Sequence, residues 1–229
     1  MLDFIHPSTL LLSGASQSGK TGFILRLLDA VRCGLFYEST IDRVLYCFGE
    51  WQPAFEEYRD FVRFHHGLPS PKDKIFDAKR PSLLILDDLM DHVNEFVANI
   101  FTKISHHRNL SVIYVCQNLF DKSKHHRTIS LNAHYIVLMR NPRDTLPVAI
   151  LSRQILAGDW RMATEAYSDA TREPYHYILF DLHPSTDNNL RLRTNVFPGE
   201  QCYCYIKRES TRDRSVDVWP SSENEQQLF

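Results

Sequence analysis

Gly14-Ala15-Ser16-Gln17-Ser18-Gly19-Lys20-Thr21 stands near the start of the 229-residue chain and matches G-x-x-x-x-G-K-[ST] at every fixed position. In that pattern the glycines let backbone N–H groups wrap phosphate oxygens, the lysine reaches the outer phosphates, and the hydroxyl ligates Mg2+. An ordinary glycine turn before a helix requires neither the lysine nor the hydroxyl. The flanks agree with the motif. Thr9-Leu10-Leu11-Leu12 reads as a buried strand, and Lys20 to Val31 carries Phe23, Ile24, Leu27, Leu28 and Val31 at helical spacing. A helix beginning at Lys20 adds partial positive charge where phosphates would sit. The whole run from Gly14 to Thr21 is therefore expected to bind a nucleoside triphosphate, with Lys20 on the β- and γ-phosphates and Thr21 on Mg2+.

A phosphate loop of this kind needs an acidic partner. Leu83-Leu84-Ile85-Leu86-Asp87-Asp88 supplies one, an apolar strand ending in two carboxylates, with Asp87 66 residues beyond Thr21. Asp87 is expected to hold Mg2+ or its water, and Asp88 to polarise a water for attack on the γ-phosphate. A water-activating carboxylate favours hydrolysis over transfer to an acceptor. The next buried run, Val112 to Cys116, ends in Gln117, whose amide is placed to contact the γ-phosphate and its attacking water.

Outward from these motifs, short apolar runs alternate with helical patterns. Val44 to Phe48 reads as strand, Ala54 to Phe64 as helix, and Gly67 to Arg80 as loop. Asp91 to Ser105 reads as helix, Tyr135 to Met139 as strand, and Leu146 to Leu156 and Trp160 to Thr171 as two helices. Tyr177 to Leu182 and Leu190 to Val196 form a closing pair of strands. Such alternation predicts an α/β domain, a mainly parallel central sheet flanked by helices on both faces. Residues 1–206 are expected to form that domain, and 207–229, mixed in charge and poor in apolar residues, a mobile tail.

The five cysteines have no paired spacing and are expected to be buried thiols in a reducing compartment; Cys202 and Cys204 fit strand alternation better than half of a metal site. No run of 18 apolar residues and no basic leader are present, so neither a membrane span nor secretion is expected, and the protein is expected to be intracellular. With only a few residues ahead of the first strand, a membrane-anchored motor is not expected either.

The formal charge of −2 conceals an asymmetry. Between positions 103 and 153, Lys103, Arg108, Lys122, Lys124, Arg127, Arg140, Arg143 and Arg153 stand against Asp121 and Asp144, a net +6 that leaves −8 for the remainder. A segment like this suits a nucleic-acid backbone, bound through phosphates without reading sequence. Five histidines share the window, but their spacing does not suit zinc. Hydrolysis also calls for positive charge opposite the γ-phosphate, which in ring NTPases an arginine of the neighbouring subunit supplies. Arg108, Arg127, Arg140 and Arg143 lie in the right half of the chain, and Arg127 and Arg140, each bordering a regular element, are preferred.

The phosphate loop, LLILDD, and above all HHRNLSVIYVCQNLF followed by RTISLNAHYIVLMRNPRD and DLHPSTDNNLRLRTNVFPGE resemble the DNA-packaging ATPases of the poxvirus and double-jelly-roll virus lineage. The similarity is to their adintovirus and Polinton-like members within the FtsK–HerA superfamily, and it runs from about Leu10 to Glu200. It implies an additional-strand, RecA-like P-loop NTPase, an ATP- and Mg2+-dependent motor that moves double-stranded DNA into a capsid as a homo-oligomeric ring. Capsid proteins are further partners it implies. The family's roles fall on Lys20, Thr21, Asp87, Asp88 and Gln117. Many superfamily members carry Glu where this chain has the shorter Asp88. A P-loop kinase and a non-motor nucleotide-binding capsid factor are the competing functions; both lack DNA-stimulated phosphate release.

Overall fold

The computed structural model describes residues 4–89, 93–120, 123–156 and 159–207. Its strands are β1 (Thr9–Ser13), β2 (Arg43–Phe48), β3 (Val62–His66), β4 (Ser82–Asp87), β5 (Leu110–Cys116), β6 (Tyr135–Met139), β7 (Tyr177–Asp181), β8 (Leu192–Thr194) and β9 (Tyr203–Cys204). They hydrogen-bond in one sheet in the order β3-β2-β4-β5-β1-β6-β7-β8-β9. From β3 to β6 the pairing is parallel, and from β6 onward it is antiparallel. The fold is thus α/β with a mostly parallel central sheet, as the alternation of runs predicts.

Alternate residues of each central strand feed two cores. Leu10, Leu12, Leu83, Ile85, Ile113 and Val137 pack beneath the apolar side of α1 (Lys20–Arg32). Leu11, Leu84, Leu86, Val112, Ile136 and Leu138 face the opposite layer. That layer comprises α2 (Glu95–Asn99), α3 (Ser105–His107), α4 (Lys124–Leu131), α5 (Leu146–Ile155) and α6 (Trp160–Ala170). Burial on both faces explains why β1, β4 and β5 read as unbroken apolar runs instead of alternating ones. At the antiparallel end, Asp181 and Arg193 form a buried ion pair, and Asp181 also accepts from the Thr186 hydroxyl at 2.9 Å. Among the described residues no helix is long and apolar enough to cross a membrane.

Three expectations are corrected. Ala54 to Phe64 is not a helix: a 3-10 turn (Pro53–Tyr58) is followed by the edge strand β3. Phe55 and Tyr58 fit a 3-10 turn as well as an α-helix. Val62 and Phe64 lie on one face of β3, where Phe64 stacks on Phe55 at 5.1 Å, and pairing with β2 satisfies backbone groups that a helix would leave open at that edge. The helix expected over 91–105 begins, among the described residues, at Glu95, where the Asn94 side chain accepts from the Val97 N–H at 3.2 Å. It passes through a π-helical turn (Ile100–Ile104) before α3, and positions 91 and 92 lie outside the described residues. Of the cysteines only Cys47 and Cys116 are buried; Cys33 caps α1, and Cys202 and Cys204 belong to the uncovered end of the sheet, so all three are exposed. Of the proposed tail, 208–229 lies outside the described residues.

Candidate nucleotide-binding site

The chain leaves β1 at the C-terminal edge of the parallel strands and turns through Gly14 to Gly19 into α1. Gly14 N–H donates to the Cys116 carbonyl at 3.3 Å, which anchors the loop to the tip of β5. Gln17 (φ 62°) and Gly19 (φ 99°) both adopt left-handed backbone, and at Gly19 that conformation starts the helix without any side-chain cap. Glycine meets this demand without strain. Lys20 folds back over the loop, its Nζ donating to the carbonyls of Gly14 at 2.7 Å and Ala15 at 2.9 Å. Burial lowers its pKa from the usual lysine value, while Asp87, Cys116 and Asp88 act against that shift.

Asp87 ends β4, and β5 lies between β4 and β1. The parallel register sets Asp87 beside Val115 and Ser13 beside Cys116, so Gln117 emerges next to the start of the phosphate loop. Asp87 is buried, and its Oδ2 accepts a 2.6 Å hydrogen bond from the Tyr46 hydroxyl on β2. Burial raises its pKa above the usual carboxylate range; the Tyr46 bond counters this, Asp88 adds to it, and Lys20 opposes it. Tyr46→Phe removes a bond that favours the charged carboxylate, so the carboxyl is held protonated to higher pH. A carboxylate that ligates a cation must be deprotonated, so the acid limb of a pH–rate profile governed by Asp87 is expected to move to higher pH. An unmoved limb would remove Asp87 as the titrating group.

Asp88 is exposed and has left-handed backbone, φ 55°. Its carbonyl abuts Gly49, where a Cβ would stand only 2.5 Å from the Asp88 oxygen, and Gly49 N–H donates to the Asp87 carbonyl at 3.1 Å. This close approach ties the turn after β2 to the acidic pair. From the same turn Gln52 Nε2 donates to Thr21 Oγ1 at 3.4 Å. Motif reading does not find Tyr46, Gly49 or Gln52: pairing of β2 with β4 brings Tyr46 and Gly49 to the acidic pair, and the turn after β2 brings Gln52 to Thr21 at the start of α1.

Gln117 is exposed at the tip of β5 and borders a cavity of about 150 Å3 together with Gly14 and Asn141. The two preferred arginines separate. Arg140 follows β6, whose Leu138 pairs with Ser13, and it lines a concavity of about 370 Å3 with Ala15 to Ser18 of its own chain. Arg127 sits on the exposed side of α4 and lines a different cavity, of about 570 Å3, with Leu119, Leu131 and Leu151. Nor is the cationic segment one surface. The run from α2 through α3 carries the chain back across the sheet, so Arg108 lies just ahead of β5 at the opposite edge, with its guanidinium on the Phe76 carbonyl at 3.4 Å. Arg153 stacks on Trp160 at 4.7 Å, and Lys122 and Asp121 lie outside the described residues.

No protein-family model matches the sequence, and no curated protein matches it. Solved structures match the fold. The genome packaging NTPase B204 from Sulfolobus turreted icosahedral virus 2, in complex with AMP, is 14% identical with a TM-score of 0.52, over 89% of this chain and 98% of that one. Its complex with AMPPCP is 13% identical with a TM-score of 0.51, over the same 89% and 98%. Its complex with ATP-gammaS is 14% identical with a TM-score of 0.51, over 87% of this chain and 97% of that one. At that identity the likeness shows a shared P-loop NTPase fold.

Proposed function

We propose that this chain is a Mg2+-dependent ATPase that drives double-stranded DNA into a viral capsid, working as a homo-oligomeric ring. The observation that carries the reading is the convergence of Lys20, Asp87 and Gln117 at one sheet edge, with β5 interposed between the phosphate-loop strand and the acidic strand. That arrangement leaves room for a water between the γ-phosphate and a carboxylate. The sequence resemblance and the likeness to a packaging NTPase crystallised with adenine nucleotides support the choice of ATP and of packaging.

The Thr21 hydroxyl and the Asp87 carboxylate are hard oxygen donors of the kind Mg2+ takes, and the buried, Tyr46-bonded carboxylate fits that role. A Mg2+ ion held by Thr21 and Asp87 would neutralise charge on the β- and γ-phosphates. Lys20, already aimed into the loop, exchanges its carbonyl partners for phosphate oxygens. Asp88 accepts the proton of the attacking water, and Gln117 orients that water. Arg127, exposed on α4, is the arginine we assign to the neighbouring subunit's γ-phosphate; Arg140 remains with its own loop. Arg143, exposed in the turn after β6, contributes to backbone contacts with DNA.

Phosphate release with and without linear duplex DNA tests the reading, at protein concentrations that permit assembly. DNA is expected to stimulate hydrolysis at low salt, and the stimulation to fade as salt rises, because phosphate contacts release counterions. Equal rates with and without DNA at every concentration would overturn the translocase. Phosphate appearing on a small acceptor would replace it with a kinase.

A further inference from the structure

We propose that Tyr175 is the platform on which the base of a bound nucleotide stacks. This rests on the nucleotide-binding reading above and extends it from the phosphates to the base.

The direction follows from strand order. Asp87, Asp88 and the Gln52-bonded Thr21 mark the γ-phosphate end on the β4 and β5 side of β1. A triphosphate laid along the loop from that end sends its base toward the other side, over β6 and β7. Because β7 runs antiparallel to β6, the segment just before it returns to the same edge of the sheet. His176 accepts from Arg140 N–H at 3.0 Å through its carbonyl, and this fixes Tyr175 beside the loop. Arg140, Pro142, Pro174 and Tyr175 close the concavity of about 370 Å3 against Ala15 to Ser18.

Tyr175 is unusual in two ways. It is 68% exposed, more than any other tyrosine of the chain, all of which but Tyr203 and Tyr205 are buried, and it holds left-handed backbone at φ 64°, a conformation disfavoured for bulky side chains. Its Cβ and Cδ1 lie 3.1 Å from where a side chain on Gly19 would begin, so the edge of the ring meets the glycine from which α1 starts. A strained backbone that presents an aromatic face to an open concavity at a phosphate loop suits base stacking, which requires a flat surface and no particular hydrogen-bonding edge.

The alternative role is structural, the ring merely supporting Gly19. Inorganic triphosphate, which has no base, separates the two. Binding of AMPPCP and of inorganic triphosphate, each with Mg2+, would be measured by calorimetry on the full chain carrying Tyr175→Asn or Tyr175→Phe. Asparagine tolerates left-handed backbone and removes the ring, and phenylalanine keeps the ring. Tyr175→Asn is expected to weaken AMPPCP roughly ten-fold or more, the range that base–aromatic stacking commands, and to leave triphosphate binding unchanged. Tyr175→Phe is expected to bind both like wild type. An equal loss for both ligands in Tyr175→Asn, or no loss for either, overturns the platform. Wild type binding neither ligand would instead sink the nucleotide-binding reading itself, and the platform with it.

Discussion

Lys20→Ala is expected to lower ATP hydrolysis by about 100- to 1,000-fold, the usual consequence of removing one preorganised donor from a developing negative charge. Lys20 lies half-buried, with its ammonium held between two loop carbonyls. In this setting a positive charge acts more strongly on phosphate than it would in water. The substitution also leaves the Gly14 and Ala15 carbonyls without that donor, so thermal unfolding measured alongside separates loss of chemistry from loss of fold. Phosphate release within ten-fold of wild type, with unfolding unchanged, would show that the loop does not act on the γ-phosphate.

Asp88→Asn is expected to slow hydrolysis by about 100- to 10,000-fold while nucleotide binding is kept, as befits a general base. The substitution is nearly isosteric, and asparagine accepts the left-handed backbone that position 88 requires. Because Asp88 is exposed, the fold should not register the change. Single-turnover phosphate release compared with AMPPCP affinity reads the two effects separately. Asp88→Glu, one methylene longer, is expected to retain much of the rate. Should Asp88→Asn keep more than a third of wild-type hydrolysis, another group activates the water.

How far the site could be read before folding varies from residue to residue. Lys20 and Thr21 belong to one contiguous octapeptide whose spacing is set by local loop geometry, so they were legible. Asp87 was legible because a doubly covered strand must be apolar to its end, and a carboxylate at that end stands out. Phe64 and its aromatic neighbours suit two periods at once, and pairing along β2 decides between them in favour of strand. Arg127 and Arg140 looked equivalent in the sequence. They part because β6 lies beside β1, which brings Arg140 to the loop, while α4 holds Arg127 on the other cavity. The positive segment looked continuous in the same way, until the helical return between β4 and β5 sent Arg108 to the far edge.

Local sequence therefore specifies the phosphate loop, the acidic strand end and the α/β class, since each depends on spacing within one element or on the alternation of elements. Strand order could not be read in this way. It arises from which apolar faces bury together, and it alone brings Tyr46 onto Asp87, Gln52 onto Thr21 and Tyr175 onto Gly19 across long stretches of chain.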